Sequence, residues 1–151
     1  MRRSHTPWPE DSLHISLLAS VREETRLRRL VPGAAWLRYP SLVAARAALD
    51  RGDADLLVVD CEHPARERAG CLHGRRLLGG HAIARHLLAS GQPVVLLGWR
   101  PRRRTQAANA VWVAKPVKAH AIRRALAALE EPVAARRLRR LFGAIARCYQ
   151  P

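Results

Sequence analysis

The stretch Asp55-Leu56-Leu57-Val58-Val59-Asp60-Cys61-Glu62-His63-Pro64 decides the fold of this chain. Its apolar run, Leu56 to Val59, is continuous, which is typical of a strand that is buried on both faces of a parallel sheet. Asp60 follows at the carboxyl end of that strand. A later apolar segment, Val111-Trp112-Val113-Ala114, is followed in the same way by Lys115-Pro116. Because the carboxyl ends of parallel strands converge on one crevice, we expect Asp60 and Lys115 to lie close together.

Other short apolar segments alternate with helical patterns along the chain. The pattern predicts strands at 13–19, 34–39, 56–59, 93–97 and 111–114. It predicts helices at 22–30, 41–49, 80–89 and from 117 onward, the second one capped by Ser41 and ended by Arg51-Gly52. In the last of these, Ile122, Ala125, Leu126 and Leu129 share one face. This order predicts an α/β fold, a five-stranded parallel sheet with helices on both faces.

A length of 151 residues is typical of one domain with a single core. We divide the chain into a flexible N-terminus (1–12), the sheet domain (13–130) and a basic amphipathic C-terminal helix (131–151). Residues 1–10 lack the apolar centre of a secretory signal, and no apolar run is long enough to span a membrane, so we expect a cytoplasmic protein. The three cysteines, Cys61, Cys71 and Cys148, show no metal-ligand spacing, and we expect neither a disulfide framework nor a metal site.

Positive charge is concentrated in the second half of the chain, which has a formal net charge of +15. Residues 1–67 contain ten acidic residues and ten arginines, whereas residues 68–151 contain seventeen Lys or Arg and only Glu130 and Glu131. The electrostatic field of such an excess of positive charge raises the encounter rate with polyanions or acidic proteins. It carries no information about sequence-specific recognition.

The spacing Asp60-x-x-x-Pro64 after the third strand, together with Lys115-Pro116 after the fifth, resembles bacterial response-regulator receiver domains. The resemblance covers about residues 13–130. It implies a flavodoxin-like fold and a place in two-component signal transduction, in which a histidine kinase passes a phosphoryl group to the Asp of the receiver. Asp60 would occupy the phosphoacceptor position, and Lys115 the position of the family's lysine.

Several positions depart from the family's pattern and make the resemblance one to a degenerate receiver, or pseudo-receiver. The family holds Mg²⁺ with an acidic pair after the first strand, where this chain has Ala19 and Ser20. The family's switch hydroxyl after the fourth strand is replaced by Gly98, although Trp112 matches the family's aromatic residue. We therefore expect no catalytic residue, no bound metal and no efficient Mg²⁺-dependent phosphorylation. The residues favour an Asp60–Lys115 ion pair over a working phosphoacceptor.

Two regions also differ in length from the family. Residues 65–79 are an insertion relative to the family, which we expect either to hang over the crevice mouth or to form a disordered surface loop. The segment after Gly98 is short, which predicts a reduced or absent fourth helix. The C-terminal helix is additional, with a stripe of Leu138, Leu141, Phe142 and Ile145. If it packs back on the domain, the stripe is core; if it projects, it can pair with a second copy or lay arginines along phosphates. Candidate contacts for a partner or polyanion are Arg75, Arg76, Arg102, Arg103, Arg104, Arg136, Arg137, Arg139 and Arg140.

The leading functional hypothesis is a regulatory protein that acts by contact with an acidic or signalling protein, largely without phosphorylation. Homodimerisation through the C-terminal helix is a further expectation. The alternative is a nucleic-acid-associated transcriptional regulator that uses the arginine-rich half. A third class, an enzyme on a flavodoxin-like fold, is disfavoured because the chain has no glycine-rich phosphate loop after the first strand and no nucleophile elbow.

Overall fold

The computed structural model describes residues 13–63, 89–99 and 107–148. Its sheet has five strands, β1 (His14–Leu18), β2 (Ala35–Arg38), β3 (Leu56–Asp60), β4 (Val94–Gly98) and β5 (Ala110–Ala114). Every neighbouring pair is parallel, and the spatial order is β2-β1-β3-β4-β5. This confirms the predicted α/β class and its flavodoxin-like arrangement.

Four helices are described: α1 (Val21–Leu30), α2 (Leu42–Arg51), α3 (Ala119–Ala128) and α4 (Glu130–Cys148). The predicted cap of α2 is present, since the Ser41 hydroxyl accepts a hydrogen bond from the Ala44 N–H at 3.1 Å. Gly52 ends α2 with a φ of 88°, a left-handed conformation that favours glycine. Pro132 lies in the first turn of α4, where its missing N–H costs no helical hydrogen bond.

Some predictions fall on residues outside the described ranges. These are the flexible N-terminus at 1–12, the insertion at 65–79 and nearly all of the predicted helix at 80–89. Residues 100–106, on which the prediction of a reduced fourth helix depends, also lie outside them.

Both faces of the sheet are buried under helices, as the continuous apolar strands predicted. On β3, Leu56 and Val58 belong to the core that includes Leu27 of α1 and Ile122 of α3. The intervening Leu57 and Val59 belong to the second core, which includes Leu49 of α2. Strand β3 is thereby fully buried, and its carboxyl end is fixed between two packed layers.

Helix α4 packs back on the domain, but through its arginine face. Val133 is buried, and the Arg137 guanidinium donates to both carboxylate oxygens of Asp55 at 2.7 Å. The predicted apolar stripe faces outward instead of forming core. Its four members, Leu138, Leu141, Phe142 and Ile145, are each 44–65% exposed, and we call them the α4 ridge.

No helix in the described part of the chain combines the length and apolar character that a bilayer span requires.

Candidate functional site

The carboxyl ends of β3, β4 and β5 form a crevice that brings together residues distant in sequence. Asp60 ends β3 and is only 5% exposed. Gly98 ends β4, and Lys115 follows β5 with its backbone N–H donating to the Gly98 carbonyl at 3.0 Å. The peptide bond between Lys115 and Pro116 is cis. The structure therefore brings Asp60 and Lys115 together, as the sequence predicted.

An ion pair occupies the centre of the crevice. Lys115 Nζ lies 2.7 Å from Asp60 Oδ2, and both side chains are largely buried. The second carboxylate oxygen, Asp60 Oδ1, accepts a hydrogen bond from the Glu62 N–H at 3.1 Å. Because each oxygen of Asp60 has a donor, the carboxylate is held in one orientation.

Glu62 and Trp99 complete the surroundings of the lysine. Lys115 Nζ lies 3.6 Å from Glu62 Oε2, while Glu62 Oε1 accepts a hydrogen bond from the Trp99 N–H at 3.1 Å. The Trp99 ring centroid lies 5.9 Å from the ammonium, within the range of a cation–π contact. The sequence reasoning did not assign Glu62 or Trp99 to the crevice, although each follows a strand end within two residues.

These contacts keep the ammonium charged and the neighbouring thiol neutral. Burial opposes the charge on Lys115, but the hydrogen bond and charge of Asp60, with the charges of Glu23 and Glu62, hold the lysine's pKa above its ordinary value. For Cys61, burial first and then the charges of Asp60 and Glu62 raise the pKa to about 12. The Cys61 thiol is thus protonated near neutral pH and a poor nucleophile.

The positions that would hold a receiver's Mg²⁺ do not fit that ion. Ala19 is fully buried, and the Ser20 hydroxyl accepts the Glu23 N–H at 3.2 Å, which caps α1. Glu23 of α1 lies close enough for its charge to contribute to the raised pKa of Lys115. Glu24 is paired elsewhere, with two arginines at 2.9 Å. Within the described ranges, no group of three or more His, Cys, Asp or Glu is placed to hold a metal.

An aromatic ring fills the space beside Gly98. A Cβ placed on Gly98 would lie 3.1 Å from Cζ3 of Trp112. That separation is shorter than ordinary van der Waals contact, so a serine or threonine requires the ring to move. The glycine at position 98 and the tryptophan at position 112 are therefore two parts of one packing arrangement.

The predicted contact arginines divide into two groups. Arg136, Arg137, Arg139 and Arg140 all lie on α4, whereas Arg75, Arg76, Arg102, Arg103 and Arg104 lie outside the described residues. Arg137 is paired with Asp55, which also accepts the His14 N–H at 2.9 Å. Burial raises the pKa of Asp55, but these hydrogen bonds and the charges of Arg137 and Arg140 hold it below its ordinary value. Asp55 therefore anchors α4, a role the sequence did not indicate.

Comparison with known proteins gives no further guide to the family. No family model matches this chain, and no curated protein matches it.

Proposed function

We propose that this chain is a receiver-like regulatory protein that acts by protein contact, without Mg²⁺-dependent phosphorylation of Asp60. The observation that carries the proposal is the Asp60–Lys115 ion pair at 2.7 Å, in a crevice that offers no acidic pair at Ala19 and Ser20. A phosphoryl group would add negative charge beside Glu62, and Ala19 and Ser20 supply no carboxylate to hold a neutralising Mg²⁺. On this view Asp60 and Lys115 stabilise the crevice, and the protein is a cytoplasmic signalling component that performs no catalysis.

NMR spectra with phosphoryl donors and analogues test this proposal. We expect acetyl phosphate, or beryllofluoride with Mg²⁺, to leave the backbone amide shifts of residues 60–62, 98–99 and 115 unchanged. Asp60→Asn serves as the control, because it removes the acceptor oxygen while keeping the side-chain shape. Large shifts at these amides in the wild type that are absent from Asp60→Asn would overturn the phosphorylation-independent reading.

The α4 ridge is the surface that we assign to the protein partner. Its four apolar side chains follow the i, i+3, i+4, i+7 spacing with which a helix binds in an apolar groove or packs against another helix. The net charge of +15 attracts an acidic partner and repels a second copy of the same chain at long range. We therefore propose an acidic amphipathic helix as the occupant, with pairing between two copies as the competing outcome.

Fluorescence anisotropy with two model peptides separates these outcomes. One peptide is a Leu/Glu amphipathic helix, and the other has the same apolar positions with Lys in place of Glu. We expect the acidic peptide to bind, and the double variant Leu141→Ser/Phe142→Ser to weaken it at least tenfold. Val21→Ser is the control, because Val21 is 61% exposed on another helix. Equal binding of both peptides, or no effect of the double variant, contradicts the assignment.

Sedimentation velocity provides the complementary measurement. A concentration-dependent dimer in the wild type that is lost in Leu141→Ser/Phe142→Ser would assign the ridge to self-association instead.

A nucleic-acid-associated regulator is the second candidate, favoured by arginines of α4 that form no ion pair with the described residues. Arg139 and Arg147 are both exposed on the same helix. Binding to duplex DNA or RNA that falls steeply between 50 and 200 mM salt would support this candidate. The same preparation tested against the acidic peptide decides between the two.

A further inference from the structure

A second concave site lies at the opposite end of the sheet from the crevice. It is a cavity of about 930 Å³ between the C-terminal end of α2, the segment Ser90–Gln92 that precedes β4, and one face of α4. Because Gly52 precedes β3 and Gln92 precedes β4, the cavity lies at the amino ends of the strands. Its volume is within the range of about 300–1,000 Å³ that is typical of small-ligand sites. We call it the arginine cavity.

The charges that line the arginine cavity are unbalanced. Five of its lining residues are arginines, Arg51, Arg136, Arg139, Arg140 and Arg147, and one is acidic, Asp50. Asp50 already accepts a hydrogen bond from Gln92 Nε2 at 2.7 Å and lies 4.0 Å from Arg136. Arg51 pairs with Asp53 at 2.8 Å. The α4 arginines of the cavity thus outnumber the carboxylates that face them.

Two buried guanidinium donors in this site have no hydrogen-bond partner among the described residues. They are Arg140 Nη1 and Arg136 Nε. Arg140 lies against Gly52, where a Cβ would be 2.5 Å from Nη1, so the glycine leaves room for the guanidinium. The other end of Arg136 is satisfied, since its Nη2 donates to the Leu49 carbonyl at the C-terminus of α2. Buried donors without acceptors are costly, and they mark where an acceptor group would bind.

The electrostatics of Arg136 indicate the same deficit of negative charge. Burial lowers the pKa of its guanidinium, and the positive charges of Arg140 and Arg139 lower it further, against the opposing influence of Asp50. An anion bound between these side chains would offset both the burial and the repulsion.

We propose that the arginine cavity binds a small polyanion that carries two or more phosphate groups. The planar fork of arginine matches phosphate oxygens, and several forks around one concavity suit a ligand with several phosphates. Gly91 also lines the cavity, and the space beside it is open, since a Cβ there would meet nothing within 4 Å. The ligand would bridge the end of α2 and the face of α4, so its binding would stabilise α4 in its docked position. Inorganic triphosphate and nucleoside triphosphates share this chemistry. The site is separate from the crevice, and the inference does not depend on the proposed function.

Isothermal titration in about 150 mM salt tests the inference with four probes: inorganic phosphate, inorganic triphosphate, ATP and a twelve-nucleotide single-stranded DNA. We expect triphosphate and ATP to bind at least tenfold more tightly than phosphate. If ATP binds more tightly than triphosphate, the natural ligand is a nucleotide; if triphosphate binds more tightly than ATP, the natural ligand is a polyphosphate. If phosphate binds as tightly as triphosphate, or if the oligonucleotide binds most tightly, the inference is overturned.

Paired variants locate the site. We expect Arg139→Gln/Arg140→Gln to weaken triphosphate binding at least tenfold, whereas Arg22→Gln/Arg26→Gln removes the same charge from α1 and changes it less than twofold. Equal weakening by both would show a diffuse field and overturn the inference. Arg139→Gln alone keeps the test interpretable if the double variant fails to fold. In the wild type, triphosphate should shift the amides of Gly52, Gly91 and Gln92 and leave Lys115 unchanged; shifts confined to the crevice would contradict the proposed location.

Discussion

The two ends of the sheet handle charge in opposite ways. At the carboxyl end, Lys115 is surrounded by the carboxylates of Asp60 and Glu62, and each oxygen of Asp60 has a donor. At the amino end, five arginines line a cavity with one aspartate. In the crevice that this fold commonly uses for ligands, carboxylates outnumber the one lysine, whereas at the opposite end arginines outnumber the carboxylates. The comparison teaches that a fold does not decide which end of its sheet is open to a ligand.

The largest expected effect comes from breaking the pair at the crevice. Lys115→Met leaves two carboxylates without their cation, and we expect it to lower the free energy of unfolding by about 4 kcal/mol. Urea denaturation at pH 7 measures this change. Lys118→Met, at an exposed position three residues away, is the control and should stay within about 0.5 kcal/mol of the wild type.

The same variant has a pH signature. Because the pKa of Lys115 is raised in the folded state, its contribution is complete below the unfolded pKa and is lost as the pH rises through the folded value. The wild type should therefore lose stability above about pH 10 more steeply than Lys115→Met does. Parallel alkaline slopes for the two proteins would contradict a stabilising role for the pair.

The next effect concerns Arg137, the paired arginine beside the unbalanced cavity. Arg137→Met leaves Asp55 buried with a backbone donor alone, and we expect a cost of about 3 kcal/mol, less than at Lys115 because Arg137 is 33% exposed. Since the pKa of Asp55 is lowered, its contribution is present above the unfolded value and disappears as the pH falls through the folded one. Thermal unfolding between pH 7 and pH 3 should show a smaller acid loss in the variant than in the wild type.

A smaller effect is expected from adding a hydroxyl to the crevice. Gly98→Ser should destabilise the protein by about 1–2 kcal/mol, because its Cβ presses on the Trp112 ring. In a Trp112→Leu background, Gly98→Ser should lose most of this cost, because the smaller side chain leaves room for the new Cβ. A double-mutant cycle in urea measures the difference. Additive effects would show that the ring and the new side chain do not compete for the same space.

The smallest change in stability is expected at the arginine cavity. Arg140→Met removes a cation whose buried Nη1 has no acceptor among the described residues, so we expect the free energy of unfolding to stay equal or to rise by up to about 1 kcal/mol. In the same urea assay, a loss of 2 kcal/mol or more would show that Arg140 is compensated in the folded protein. That outcome would remove the contrast between the two ends of the sheet.

The sequence was sufficient for the sheet and for the meeting of Asp60 with Lys115, because continuous apolar strands and strand-end residues depend on local pattern and topology. It was not sufficient for α4. Periodicity distinguishes the apolar face of a helix from its charged face. Which face of α4 packs against the domain depends on Asp55 and on the Leu49 carbonyl, both distant in sequence. The stripe that resembled core was thus left outside. The arginine cavity was missed for the same reason, since three separated segments contribute to it.

The packing of Trp112 against Gly98 also limits the order in which this chain can change over evolutionary time. A single codon change that introduces a hydroxyl at position 98 meets the tryptophan ring and carries a stability penalty before any benefit can be selected. A smaller residue at position 112 would lower that penalty, so we expect the two substitutions to be epistatic. The residues that position 98 can accept, at the end of β4, are thus limited by a side chain that belongs to the neighbouring strand β5.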